Sequence, residues 1–234
     1  MEEPGAQRLA ISIVFYVAAY VLGFLAFAIM ARRRGMATDG IAVLAAAALL
    51  GGGTGALLVQ WIVGGIPGKS LLGGVAVGYL AVIYAKHRLG IKRPTGDLFA
   101  VALSAGEAVG RIGCFFAGCC YGKVTTLAWG VYDHGALRHP TQLYSGLAAA
   151  ATLALLVYLE RKRVLPENGL LYVQIAVLCA LRFPIEFVRE VPATVFGLTT
   201  VQVACLFGLG FFAWRLRRLL ANSERSRLAV SLAT

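Results

Sequence analysis

A chain of 234 residues that is 59% hydrophobic and only 14% charged, with a mean hydropathy of +0.76, carries more apolar surface than a water-soluble core of its size can hide. This excludes an ordinary soluble domain and predicts an all-α integral membrane protein. The net charge of +11 would suggest nucleic acid in a soluble chain, but here the basic residues fall in short clusters between apolar runs, where they act as topology signals, and no nucleic-acid partner is expected.

About seven apolar segments are long enough to cross, or nearly cross, a bilayer as helices: 9–31, 41–63, 70–85, 97–118, 141–159, 168–188 and 196–214. The first is too long for the apolar core of a signal peptide, follows an acidic start, and runs into Arg32, Arg33 and Arg34 as a stop-transfer cluster, so it is expected to be retained. With that cluster, Lys86/Arg88/Lys92/Arg93, Arg161/Lys162/Arg163 and Arg215/Arg217/Arg218/Arg225/Arg227 mark one side of the bilayer. Arg8, Lys69, Lys123, Arg138 and Arg189 mark the other. The positive-inside rule then predicts seven transmembrane helices with the N-terminus outside and the C-terminus cytoplasmic. Residues 1–234 read as a single transmembrane domain with a small outer-face loop at about 121–139, and no internal repeat is visible.

The second and third segments are rich in glycine: Gly51, Gly52, Gly53 and Gly55, then Gly64, Gly65, Gly73, Gly74 and Gly78. Small residues let helix backbones approach in lipid, and close packing is the first reading of them. Irregular backbone lining a cavity is the second. The fourth segment repeats small residues at every fourth position through Gly106, Gly110, Cys114 and Gly118, and it carries Glu107 and Arg111 four residues apart. It ends in "GRIGCFFAGCCYG", residues 110–122, with three cysteines in one short stretch. "RHPTQLYS", residues 138–145, follows; His139 before Pro140 marks a turn ahead of a helix, and His139, Gln142 and Tyr144 offer polar tips at the outer rim. His139 reads as an interfacial capping residue or, beside arginines, as a general base or phosphate ligand.

The sixth segment holds Arg182, Glu186 and Arg189. An ionised side chain within a span costs at least about 2.5–3.5 kcal/mol, so each needs a partner or a wet cavity. Glu107 with Arg111 and Arg182 with Glu186 form i,i+4 pairs that could simply lock helices together. Three arginines against two carboxylates nevertheless leave excess positive charge, and guanidinium groups suit bidentate phosphate binding, so a phospholipid head group is the expected anion. Cys179 and Cys205 read as apolar fillers. Cys114, Cys119 and Cys120 lie near Arg111 in sequence, and a neighbouring guanidinium lowers a thiol pKa.

"GRIG" at 110–113, "RHPTQLY" at 138–144, the "GLLY" and "LRFPIEFVR" of Gly169 to Arg189, and "YVLGFLAF" at 20–27 together resemble the prolipoprotein diacylglyceryl transferase family over most of the chain. The resemblance implies a seven-helix enzyme of the bacterial inner (plasma) membrane. Such an enzyme moves the diacylglyceryl group of phosphatidylglycerol onto a cysteine thiol, forms a thioether and releases glycerol phosphate, without a metal or cofactor. It implies that Arg111 and Arg182 hold the phosphate and stabilise the leaving group, that Glu186 orients Arg182, and that Tyr16, Tyr20, His139, Gln142 and Tyr144 line the cavity. Glu107, Cys114 and Arg189 are expected as further substrate-binding residues from their own place in the sequence.

There are departures. The family usually has a histidine, a candidate for activating the acceptor thiol, where this chain has Leu72, and polar residues where it has Cys114, Ala117 and Cys119. The arginine of the second-span glycine motif is missing from 51–55, and the outer head region is shortened. The scaffold and anion clamp are kept while the acceptor side is changed, with a thiol-bearing protein or a small-molecule thiol as the expected acceptor. Three readings stay open: a diverged transferase in which Cys119 or Cys120 takes part, even as a covalent way-station; a membrane thiol, redox or soft-metal protein using Cys114, Cys119 and Cys120; and a non-catalytic lipid-binding protein or transporter.

Overall fold

Backbone N–H and C=O groups in hydrocarbon must be satisfied within the chain, which leaves the helix as the form for long apolar runs. The computed structural model describes residues 5–36, 38–64, 71–193 and 196–233, and among these it has seven helices and one hairpin. The helices are α1 (Ala6–Arg33), α2 (Asp39–Gly64), α3 (Leu71–Arg88), α4 (Gly96–Phe116), α5 (Thr141–Lys162), α6 (Gly169–Phe187) and α7 (Thr200–Ala233). Strands β1 (Val131–Asp133) and β2 (Ala136–Arg138) pair antiparallel between α4 and α5. All seven expected segments are helical. Five of them, α1, α2, α4, α5 and α6, are long and apolar enough to cross a membrane by length and composition. The other two start apolar and run into charge: Lys86, His87 and Arg88 close α3, and Arg215, Arg217 and Arg218 sit within α7.

Basic last turns occur on α1, α3 and α5 and are absent from α2, α4 and α6. α7 departs from expectation at both ends. It starts at Thr200 rather than 196 because Thr199 and Gln202 form a reciprocal cap: the Thr199 N–H donates to Gln202 Oε1 (2.9 Å) and the Gln202 N–H donates to Thr199 Oγ1 (3.2 Å). It continues well past 214 because its polar extension is rich in Arg, Leu, Ala and Glu, which favour helix. At 34 residues it is ~51 Å long, more than the ~30 Å of a hydrocarbon core.

The chain forms two units, one from Phe27 to Pro94 and one joining the start of α1 up to Ala26 with everything from Thr95 onward. In the first, α2 and α3 meet along their glycines: a Cβ on Gly51 would lie 2.6 Å from that of Ala81, and one on Gly74 3.1 Å from the Gly52 carbonyl oxygen. Gly51 to Gly53 lie in regular helix; close approach is the role of Gly51, while a Cβ on Gly53 would meet nothing within 4 Å. Lys69 and the middle of the Gly64–Gly74 turn lie outside the described residues, as does the side chain of Leu72.

In the second unit α4 contacts α5 and α6, and α6 contacts α7. The start of α1 lies on α4 through its small residues: Gly106 faces the Ala19 carbonyl, and Gly113 faces Tyr16 and the Ser12 carbonyl. Polar side chains bind α4 to α6. Gln174 Nε2 donates to Ser104 Oγ (3.3 Å), and the Asp97 carboxylate accepts from the backbone N–H groups of Asn168 (2.9 Å) and Leu171 (3.0 Å) at the start of α6. Asp97 is 2% exposed, and a carboxylate suits a helix N-terminus. Asp97→Asn would turn one acceptor into a donor facing a donor. We expect it to destabilise the fold by about 1–3 kcal/mol, read as a lower unfolding temperature in detergent, with wild-type stability as the contrary result.

Candidate functional site

Helical spacing gathers the charges of α4 and α6. Arg111 Nη2 lies 2.7 Å from Glu107 Oε1, and its Nε donates to the same oxygen at 3.2 Å. On α6, Arg182 Nη2 meets Glu186 Oε2 at 2.7 Å, while Arg182 Nη1 donates to Ser145 Oγ on α5 at 2.9 Å. Arg189 Nη1 reaches both oxygens of Glu186 at 3.2 Å. Glu186 is 2% exposed and shared by two arginines. Gly146 lets α5 approach Arg111, since a Cβ there would lie 3.2 Å from the arginine's own Cβ.

The thiols begin one turn beyond Arg111. Tyr16 Oη on α1 donates to Cys114 Sγ (3.5 Å). α4 then ends at Gly118 with φ of 65°, and the Cys119 N–H turns back onto the Cys114 carbonyl (3.2 Å). Cys120 follows with φ of 60°, a left-handed conformation unusual for a residue with a side chain. Two side chains at the start of α5 hold it there: Thr141 Oγ1 donates to the Cys120 carbonyl (2.6 Å), and Gln142 Nε2 donates to the Cys119 carbonyl (2.7 Å). The Cys119 thiol donates to the Cys114 carbonyl (3.6 Å).

A hydrogen bond from Cys119, and then the charges of Arg189, Arg111 and Arg182, hold the Cys120 thiol down to about 5 against the opposing effect of burial. The Cys119 thiol, with Cys114 and Cys120 as its neighbours, is pushed upward.

The loop that carries these cysteines is strung between α5 and α6. The Lys123 N–H donates to the Val188 carbonyl (2.8 Å), the Gly122 N–H to the His139 carbonyl (3.1 Å), and the Glu190 N–H to the Tyr121 carbonyl (3.2 Å). Gly122 is needed at this crossing, since a Cβ would lie 2.5 Å from the His139 carbonyl oxygen. Arg138 braces the loop through the carbonyls of Asp133 and Gly122, through Glu190 and over the face of Tyr121. At the rim, the Trp129 indole N–H donates to Tyr144 Oη (2.9 Å), and His139 Nδ1 lies 3.4 Å from the same hydroxyl.

Arg111, Arg182, Glu186, Arg189, Glu107, Cys114, Cys119 and Cys120 thus come together, with Tyr16 beside Cys114. His139 and Tyr144 form a separate pair with Trp129. Gln142 is buried and committed to the Cys119 carbonyl rather than held out as a polar tip, because its place in the first turn of α5 faces the end of α4. Tyr20 is 65% exposed on α1, away from the enclosed charges. Ser145, Thr141 and Trp129 were not singled out from sequence; Thr141 and Ser145 stand four apart in "RHPTQLYS", a spacing that puts both on one helix face. Cys179 and Cys205 touch each other between α6 and α7. No three His, Cys, Asp or Glu side chains are grouped as metal ligands among the described residues.

The sequence pattern of the family described as prolipoprotein diacylglyceryl transferase matches residues 4–216. The chain belongs to the prolipoprotein diacylglyceryl transferase family. The phosphatidylglycerol–prolipoprotein diacylglyceryl transferase of Campylobacter hominis is 32% identical over 68% of this chain and 59% of its own length. Proteins of the same name from Campylobacter lari and Geobacter sulfurreducens are 35% and 31% identical, over 63% and 75% of this chain and 57% and 77% of their own lengths. The chain spans less than two thirds of the length of the two Campylobacter relatives. Membership of this family and five long apolar helices make it a multi-pass membrane protein.

Alkylation across pH reads the thiol arrangement directly. At pH 5.5 Cys120 should be roughly three-quarters thiolate, against well under 1% for an ordinary thiol. Intrinsic nucleophilicity falls with pKa (Brønsted slope ~0.4–0.5), which leaves Cys120 tens of fold faster than N-acetylcysteine with iodoacetamide at pH 5.5 and slower than it near pH 8. Cys119 should stay unreactive in both. Cys120 labelling that tracks N-acetylcysteine at every pH would show that the arginines do not govern it.

Proposed function

We propose that this chain transfers the diacylglyceryl group of an anionic phospholipid of the phosphatidylglycerol type to a thiol, in the bacterial inner membrane, with its N-terminus outside. The observation that carries this reading is that Arg111, Arg182 and Arg189 converge with only Glu107 and Glu186 to balance them among the described residues. The names of the relatives support the donor, phosphatidylglycerol, and the acceptor class, a prolipoprotein.

In this reading Arg111 and Arg182 hold the phosphate of the donor lipid. The thiolate sulfur of the acceptor attacks the glyceryl carbon that bears the phosphate. A C–S bond forms as the C–O bond breaks, the electron pair leaves with the oxygen, and glycerol phosphate departs. Guanidinium groups aimed at the developing phosphate charge stabilise that transition state, and no cofactor enters. Glu186 and Ser145 fix the plane of Arg182, Glu107 fixes Arg111, and Arg189 supplies the third cation. Tyr16 lines the approach beside Cys114, and His139 and Tyr144 stand at its rim.

The acceptor side carries the difference from the family pattern. Leu72 replaces the histidine and cannot take a proton from an incoming thiol, and cysteines stand where polar residues are usual. Full function in place of an ordinary transferase is therefore not expected.

Two measurements test the reading. With labelled phosphatidylglycerol and a cysteine peptide in detergent, Arg182→Ala and Arg111→Ala should each lower thioether formation by about 100-fold or more, with the helical fold intact, as for loss of one transition-state donor. Arg182→Ala leaves Glu186 paired with Arg189, which guards the fold. The same variants should retain less co-purified anionic phospholipid, and equal retention in wild type and both variants would overturn the clamp. In cells depleted of the ordinary transferase, poor growth with this chain expressed is expected; full rescue would show that Leu72 is no handicap.

A further inference from the structure

Diacylglyceryl transfer needs one thiol, on the acceptor. It does not account for three thiols placed in series beside the arginines. Cys119 sits between the other two in the turn, its Sγ 3.6 Å from the Cys114 carbonyl oxygen and Cys120 next to it in the chain, and it is the exposed member of the set. The turn that ends α4 also brings the Cys119 N–H to the Cys114 carbonyl, at 3.2 Å. Cys120 follows directly in a left-handed backbone conformation, its carbonyl held by Thr141 and that of Cys119 by Gln142. A non-glycine residue in this conformation costs of order 1–3 kcal/mol, so its surroundings hold the thiol in place against local preference. All five cysteines are free thiols.

We propose that Cys114, Cys119 and Cys120 form a thiol–disulfide exchange centre that reduces disulfides, with Cys120 as the attacking sulfur, Cys119 as the resolving one and Cys114 as the terminal partner. The guanidinium groups of Arg111, Arg182 and Arg189 supply the positive field that thiolate attack requires. The Cys120 thiolate attacks one sulfur of a substrate disulfide, forming a mixed disulfide and expelling the first substrate thiolate. Cys119 gives up its proton to that thiolate and attacks the Cys120 sulfur, expelling the second substrate thiolate, which is protonated by water.

The resulting link between neighbours joins Cα atoms about 3.8 Å apart, shorter than the usual 4.4–6.8 Å, and is readily exchanged. Cys114 loses its proton to water, attacks the Cys119 sulfur and releases the Cys120 thiolate. The net change is two electrons from the centre to the substrate, one disulfide reduced to two thiols, and one disulfide formed between Cys114 and Cys119. This activity does not depend on the lipid reading, although its product, a free thiol, is the form that thioether formation consumes.

The reduced full-length protein in detergent is mixed with one molar equivalent of a dipyridyl disulfide at pH 5.5, and the released pyridinethione is followed optically. The expected result is rapid release of two equivalents per chain. Iodoacetamide should then tag Cys120 within the peptide Ile112–Lys123, which carries all three thiols. Cys120→Ser should slow the rapid phase at least ~10-fold, toward the rate of ordinary thiols. Cys119→Ser should stop at one equivalent with a pyridyl group on Cys120, a trapped adduct that only a folded, reactive Cys120 would give. Cys179→Ser and Cys205→Ser should change neither phase. Rapid release that survives Cys120→Ser, or a wild-type chain that stops at one equivalent with Cys119 still free, would overturn the proposal.

Discussion

Glu186 is the constraint on which the site depends. A carboxylate this deeply enclosed is tolerated only when its charge is met, and here two arginines meet it, one from the preceding turn of α6 and one from just past its end. Removing one partner of a buried pair typically costs about 3–5 kcal/mol, so the geometry of Arg182 and Arg189 is strongly fixed. Arg182 is further tied to Ser145 on α5. Arg189 lies where the chain leaves α6 and pairs by its backbone with Gly122, in the loop that carries the cysteines. One buried charge thereby holds α5, α6 and the cysteine loop in a common frame.

Most of this frame was legible in the sequence, for definite reasons. Composition demands helices in lipid, and ionisable residues inside apolar runs are too costly to be incidental, so Glu107, Arg111, Arg182, Glu186 and Arg189 could be picked out by spacing alone. What spacing could not supply is which neighbour each cation would choose. Arg189 pairs with Glu186 at i,i+3, and Arg182 uses its remaining nitrogen on a serine of another helix. The resemblance to the family rested on the same residues, so it shared this limit.

The loop was the least legible part. Strands of three residues carry too little periodicity to be read, and the β1–β2 hairpin is set by a tight turn in which His134 and Gly135 both have positive φ. Gln142 shows a related limit. In sequence it is a polar residue at a membrane rim, while in three dimensions the turn after α4 presents the Cys119 carbonyl to it, and the amide is drawn inward. A loop carbonyl that must find a donor is a need that sequence pattern does not display.

The cysteines and the arginines cannot be treated separately. Beside the hydrogen bond from Cys119, the Cys120 thiolate is favoured by Arg189, Arg111 and Arg182, and the last two are the groups that the lipid reading assigns to phosphate. Two anions that draw on one cationic cluster oppose each other, and linkage makes the effect reciprocal: a bound phosphate weakens the hold on the thiolate by the same free energy by which the thiolate weakens phosphate binding. Three arginines against two carboxylates leave room for one further anionic charge. On the lipid reading, a thiolate at Cys120 would answer that charge in the empty clamp, and uptake of a proton would neutralise the sulfur when a phosphate arrives. The "GCC" turn and the arginines would then act as one device, in which occupancy of the clamp sets the charge state of the thiol.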